Sequence, residues 1–196
     1  MKALKFLLLL IIPIMLSCNS QPSNRQSVIE TTDDTDDKYR ANPETGMGVR
    51  SNDMDVDEDF IREAASGGMM GVELGRYAQQ NAQNPRVKQF GAMMVRNHSK
   101  ANEEIREIAS GKNVTLSDME DSHRRKMTDL QEKSGGDFDE AYISEMVDKH
   151  EKDVDRFKKL AEDGKDSDLK AFAMKTLPVL LVHLDSAKSI RDDINR

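Results

Sequence analysis

Beyond about residue 57, apolar side chains recur every three or four positions with polar ones between, and strand-like alternation is missing, so the chain predicts helices throughout. Five can be bracketed by their end signals. The first runs from about Glu58 to Ala82, with Phe60, Ala64, Gly67, Gly71, Leu74 and Ala78 on one stripe. So many small residues predict close approach of a neighbour, although Gly67, Gly68, Gly71 and Gly75 each weaken the helix by about 1 kcal/mol relative to alanine. Asn84 caps a second helix whose first position is Pro85, where proline is favoured. Its stripe is Val87, Phe90, Met94, His98, Ala101, Ile105 and Ile108, and Gly111 ends it. A third, shorter helix starts at Ser117 and carries Met119, Met127 and Leu130 as far as Ser134-Gly135-Gly136. Asp137 caps the fourth, with Ile143, Met146, His150, Val154, Phe157 and Ala161 on its stripe, and Gly164 stops it. The fifth, from about Asp166 to Ile194, shows Leu169, Ala173, Leu180, His183, Ala187, Ile190 and Ile194, and Pro178 inside it predicts a kink.

Helices one and two are joined by a turn that allows only antiparallel packing, as are four and five, while the third occupies the connection between the pairs. The expected architecture is all-α: an antiparallel four-helix bundle with a short fifth helix in the crossover. Residues 57–196 are enough for one domain with a continuous core.

The first eighteen residues have a different character. Lys2 and Lys5 precede an apolar run from Phe6 to Leu16, interrupted only by Pro13 and shorter than the ~20 residues a membrane-spanning helix needs. Residues 1–18 therefore read as a secretory leader. The run ends at Leu16-Ser17-Cys18, which resembles the lipobox of bacterial lipoproteins, although Met15 and Leu16 stand where the common pattern has Leu and a smaller residue. Cys18 is the only cysteine, so no intramolecular disulfide can form, and its place at the cleavage site makes it the expected lipidation site. Multiple acyl chains would hold the protein on a membrane of the bacterial cell envelope, facing the periplasm or in the outer membrane. Residues 19–56 are polar and acidic, with Asp33-Asp34 and Asp36-Asp37, and read as a disordered tether.

Charge narrows the partners. The formal net charge is −7, and basic residues alternate with acidic ones, as in Lys149-His150-Glu151-Lys152-Asp153, which reads as a solvated helix face. Nucleic acid is not an expected partner, because binding a phosphate backbone needs a basic patch. The sequence contains no Gly-rich phosphate loop, nucleophile elbow or Cys/His knuckle, and it names no catalytic residue. The pairs Met69-Met70 and Met93-Met94 read as core filling rather than soft-metal ligands.

Three of the four histidines, His98, His150 and His183, fall on apolar stripes, one per long helix, and Glu73 lies one position off the stripe of the first. At ~1.5 Å per residue, Glu73 and His98 differ in height by about 7 Å from their shared turn, and His150 and His183 by about 4 to 5 Å. All four can therefore meet in the middle of the bundle. Imidazoles with one carboxylate suit Zn, Cu or Fe and leave an open position, so Glu73, His98, His150 and His183 form a candidate site for one transition-metal ion. The competing expectation is a closed hydrogen-bond network in which each histidine is bonded to Glu73, Tyr142 or a buried water. A di-iron centre of the bundle type needs Glu-x-x-His on two helices, and the positions three before the candidates are Val95, Val147 and Leu180, which cannot ligate. His123, beside Arg124 and Arg125, is read as a rim residue outside the site.

The chain resembles a family of exported bacterial helical proteins, domain of unknown function 4142 (DUF4142), over about Phe60 to Ile194. The resemblance is carried by Glu73-Leu74-Gly75, by Val87-Lys88-Gln89-Phe90 with Met94 to Asn102, by Phe138 to Ile143 with Met146-Val147 and His150, and by Leu177-Pro178 with His183-Leu184. Where the family commonly has Asp before the second-helix histidine, this chain has Asn97. The resemblance implies a ferritin-like bundle and an envelope location, and no established activity. Two functions are thus expected in competition: an envelope lipoprotein that binds a metal ion, and a cofactor-free structural or protein-interaction module.

Overall fold

The computed structural model describes residues 51–196, with side chains from residue 56. The leader, Cys18 and most of the tether lie outside the described residues. Five helices follow in order: α1 (Ser51–Asn81), α2 (Pro85–Gly111), α3 (Asp121–Gln131), α4 (Gly135–Asp163) and α5 (Ser167–Ile194). The architecture is all-α. α1 packs chiefly on α2 and α4 on α5, and the short α3 lies in the connection between the two hairpins. Among the described residues no helix is long and apolar enough to cross a membrane.

End signals place most boundaries. The Asn84 side chain accepts the Arg86 amide ahead of Pro85, and Asp166 accepts the amides of Asp168 and Leu169, so both caps satisfy donors that a helix start leaves orphaned. α5 continues through Pro178. Three starts differ from expectation. α1 begins at Ser51 rather than Glu58, and α3 at Asp121 rather than Ser117, whose hydroxyl is engaged by the Asp118 carbonyl. α4 starts at Gly135 rather than after Asp137, and Gly135 sits at φ +57, a conformation glycine reaches without a Cβ clash.

The glycines of α1 bring backbones together as their number predicted. A Cβ on Gly75 would sit 2.7 Å from the Gly91 carbonyl oxygen, and one on Gly91 2.6 Å from that of Gly75, so α1 and α2 touch main chain to main chain. The turn between them is tied to α4: the buried Asp139 carboxylate accepts the Asn84 amide at 2.6 Å and the Gln83 amide at 3.1 Å. The buried carboxylate is thereby satisfied by two turn amides, which ties the two hairpins together.

The apolar interior comes in two parts. One contains Met70, Leu74, Met94, Phe138, Tyr142, Met146 and Leu184, and the other Ile61, Ile105, Phe157, Leu169, Phe172 and Leu180. Met70 and Met94 fill core, and Phe60 meets Phe157 edge-on at 5.0 Å in the second part. On α2, α4 and α5 the residues between the two parts are His98, His150 and His183.

Candidate metal centre

Each of these histidines occupies an inward position because it continues the apolar stripe of its helix. His150 and His183 are each 1% exposed and His98 8%. Their rings meet, with centroids 5.2 Å apart for His98 and His183, 5.2 Å for His150 and His183, and 5.8 Å for His98 and His150. One nitrogen from each lies within 4.8 Å of the other two. The fourth long helix gives space rather than a ligand: a Cβ on Gly71 would stand 2.9 Å from His98 Cδ2, so the imidazole lies where an α1 side chain would otherwise be.

Hydrogen bonds fix the tautomers of two rings. His150 Nδ1 is 2.7 Å from the Met146 carbonyl oxygen, which only accepts, so that nitrogen carries the proton and His150 Nε2 is bare. His183 Nδ1, 3.3 Å from His150 Nε2, is then the donor, its own Nε2 is bare, and the Asn97 Nδ2 donates to it at 2.8 Å. His98 Nε2 stands outside this chain, fully buried with no hydrogen-bond partner among the described residues. Burial pushes all three pKa values down: His183 to about 3, with a smaller push from His150, and His98 well below its ordinary value, with further pushes from His150, His183 and Lys149. All three rings are neutral at neutral pH, the state in which imidazole ligates.

Glu73 is not in this group. Its side chain is 48% exposed and its carboxylate accepts from the Arg76 guanidinium at 2.6 Å. Height along the helix allowed the meeting; the angle around it did not, because a residue one position off the inward stripe is turned about 100° away. His123, expected at the rim, is instead 7% exposed and buried against α1, with its Nδ1 2.7 Å from Ser66 Oγ. Its stripe was visible, since Met119 and Met127 stand four residues to either side. Tyr142 bonds none of the histidines: it stacks on Phe138 and its buried hydroxyl has no partner among the described residues. Nor is the 149–153 run wholly solvated, since the side chains of Lys149 and Asp153 are 11% and 15% exposed and paired at 2.9 Å beside the histidine layer.

A cavity of about 30 Å³ adjoins His98 and is lined by Asn102, Lys149 and Asp153 as well as by apolar side chains. That is room for about one water molecule with polar partners.

The family described as Domain of unknown function (DUF4142) matches residues 44–190, and the chain belongs to it. Neither a curated protein nor a solved structure matches the chain.

Proposed function

We propose that this member of the DUF4142 family is an envelope-anchored helical bundle that holds one divalent transition-metal ion on His98, His150 and His183. The observation that carries the reading is the buried, unpartnered His98 Nε2 in a layer where two other imidazoles already meet. Leaving such a nitrogen unpaired costs ~1–3 kcal/mol, and a metal bond removes the cost. Donors of a tetrahedral Zn²⁺ at ~2.1 Å stand about 3.4 Å apart. The 3.3 Å between His150 Nε2 and His183 Nδ1 is long for a hydrogen bond and fits that edge. Three imidazoles suit Zn, Cu or Fe, and the cavity beside His98 gives a fourth, exchangeable ligand its place. The anchoring part rests on the leader and on Cys18 at the end of its apolar run.

A cofactor-free network is the second reading, and it is favoured by the chain from Asn97 through His183 and His150 to Met146, which is complete without a metal. His98→Phe separates the two, because His98 contributes to a metal but not to that chain. In the metal reading, protein made without an affinity tag loses one equivalent of bound Zn²⁺ on this substitution, while its metal-free melting temperature stays level or rises. Equal zinc binding by the wild type and His98→Phe would leave the network as the function of the layer.

A further inference from the structure

A second donor set lies where the chain entering α3 crosses α1. Glu63 on α1, Glu120 at the cap of α3 and His123 in the first turn of α3 each bring one ligand atom, all within 4.8 Å of one another. His123 is oriented from behind. Its Nδ1 meets Ser66 Oγ at 2.7 Å, and the same hydroxyl accepts the Glu120 amide at 2.8 Å, so one α1 serine sets both the imidazole and the backbone that carries Glu120. A hydrogen bond on the second nitrogen fixes the orientation of the ring, as it does for metal-bound histidines. His123 Nε2 is thereby aimed at the Glu63 carboxylate, 3.5 Å away. That distance is too long for a strong charge-assisted bond and close to the ~3.4 Å edge of a tetrahedral zinc site.

The other charges nearby leave room for a cation. Arg156 approaches Glu63 only to 3.3 Å, and Lys149 is taken by Asp153 at 2.9 Å. The Glu120 side chain makes no capping hydrogen bond to α3. Glu63, Glu120 and Asp153 push the His123 imidazole toward its charged form, but burial, and then Lys149, lower its pKa below the ordinary value.

We infer that Glu63, Glu120 and His123 form a second divalent-cation site of the zinc type, which clamps the start of α3 onto α1. It is independent of the three-histidine layer. Calorimetric titration of the tag-free full chain with Zn²⁺ tests it: the wild type takes up two equivalents, and the Glu63→Gln/Glu120→Gln variant one. The same titration of His98→Phe also gives one, from the other centre. Unchanged uptake by the glutamine variant overturns the inference. One equivalent in the wild type that persists in His98→Phe and vanishes in the glutamine variant supports this site and refutes the other. A nitrogen NMR titration of the wild type needs no substitution: zinc shifts the His123 Nε2 resonance, and an unmoved resonance at saturation overturns the inference.

Discussion

His183 decides what a metal must do to enter the layer. Its Nδ1 carries the proton that points at His150, and its Nε2 accepts from the Asn97 amide. For His183 to ligate through Nδ1, its single ring proton must move from Nδ1 to Nε2, with Asn97 turned so that its oxygen accepts. An amide supports either arrangement; a carboxylate supports only the second. Asn97→Asp is therefore expected to tighten Zn²⁺ binding roughly tenfold, in the range of outer-sphere effects on metal sites. Titration calorimetry reads this directly, and weaker or unchanged binding would show that His183 does not ligate through Nδ1.

At the scale of the helices, the sequence carried almost all of the architecture, since Asn84-Pro85, Gly111, Gly164 and Asp166 mark ends and the inward stripes are continuous. The three histidines were legible for the same reason: each replaces an apolar residue on its stripe. What failed were judgements that depend on how helices are turned and covered. Glu73 had the right height and the wrong angle, and only the packing of α1 on α2 through Gly75 and Gly91 settles which side of α1 faces inward. His123 had the right stripe, yet a short helix buries a face only if a neighbour covers it, and the neighbour is Ser66 with the α1 seam. Lys149 and Asp153 looked solvated because their sequence neighbours are charged; the glycines on α1 admit them, as a Cβ on Gly67 would meet Lys149 Nζ at 2.6 Å. Asp139, which ties the α1–α2 turn to α4, gave no signal in spacing at all.

For the whole molecule the consequence is a stability that depends on pH in one direction. His98, His150 and His183 have folded-state pKa values below their ordinary 6.5, chiefly through burial, and His123 is lowered as well. Above pH 6.5 both folded and unfolded chains keep these rings neutral, and their contribution is constant. As pH falls below 6.5, the unfolded chain takes up protons that the folded one refuses, so stability declines, and for His183 the decline continues toward pH 3. Each such ring contributes up to about 1.4 kcal/mol per pH unit. Denaturant midpoints of the metal-free protein should therefore drop from near-neutral pH downward, and a flat profile between pH 6.5 and 4 would contradict the burial of neutral rings.

The histidine layer divides an otherwise apolar core, and the coordination shell is the observable that shows whether a metal occupies it. The most direct measurement is zinc X-ray absorption on the Glu63→Gln/Glu120→Gln variant carrying one equivalent of metal. The account predicts three imidazole nitrogens at about 2.0–2.1 Å, with the multiple scattering of their rings, and a single light fourth ligand. A shell of oxygen ligands with one imidazole or none would contradict it.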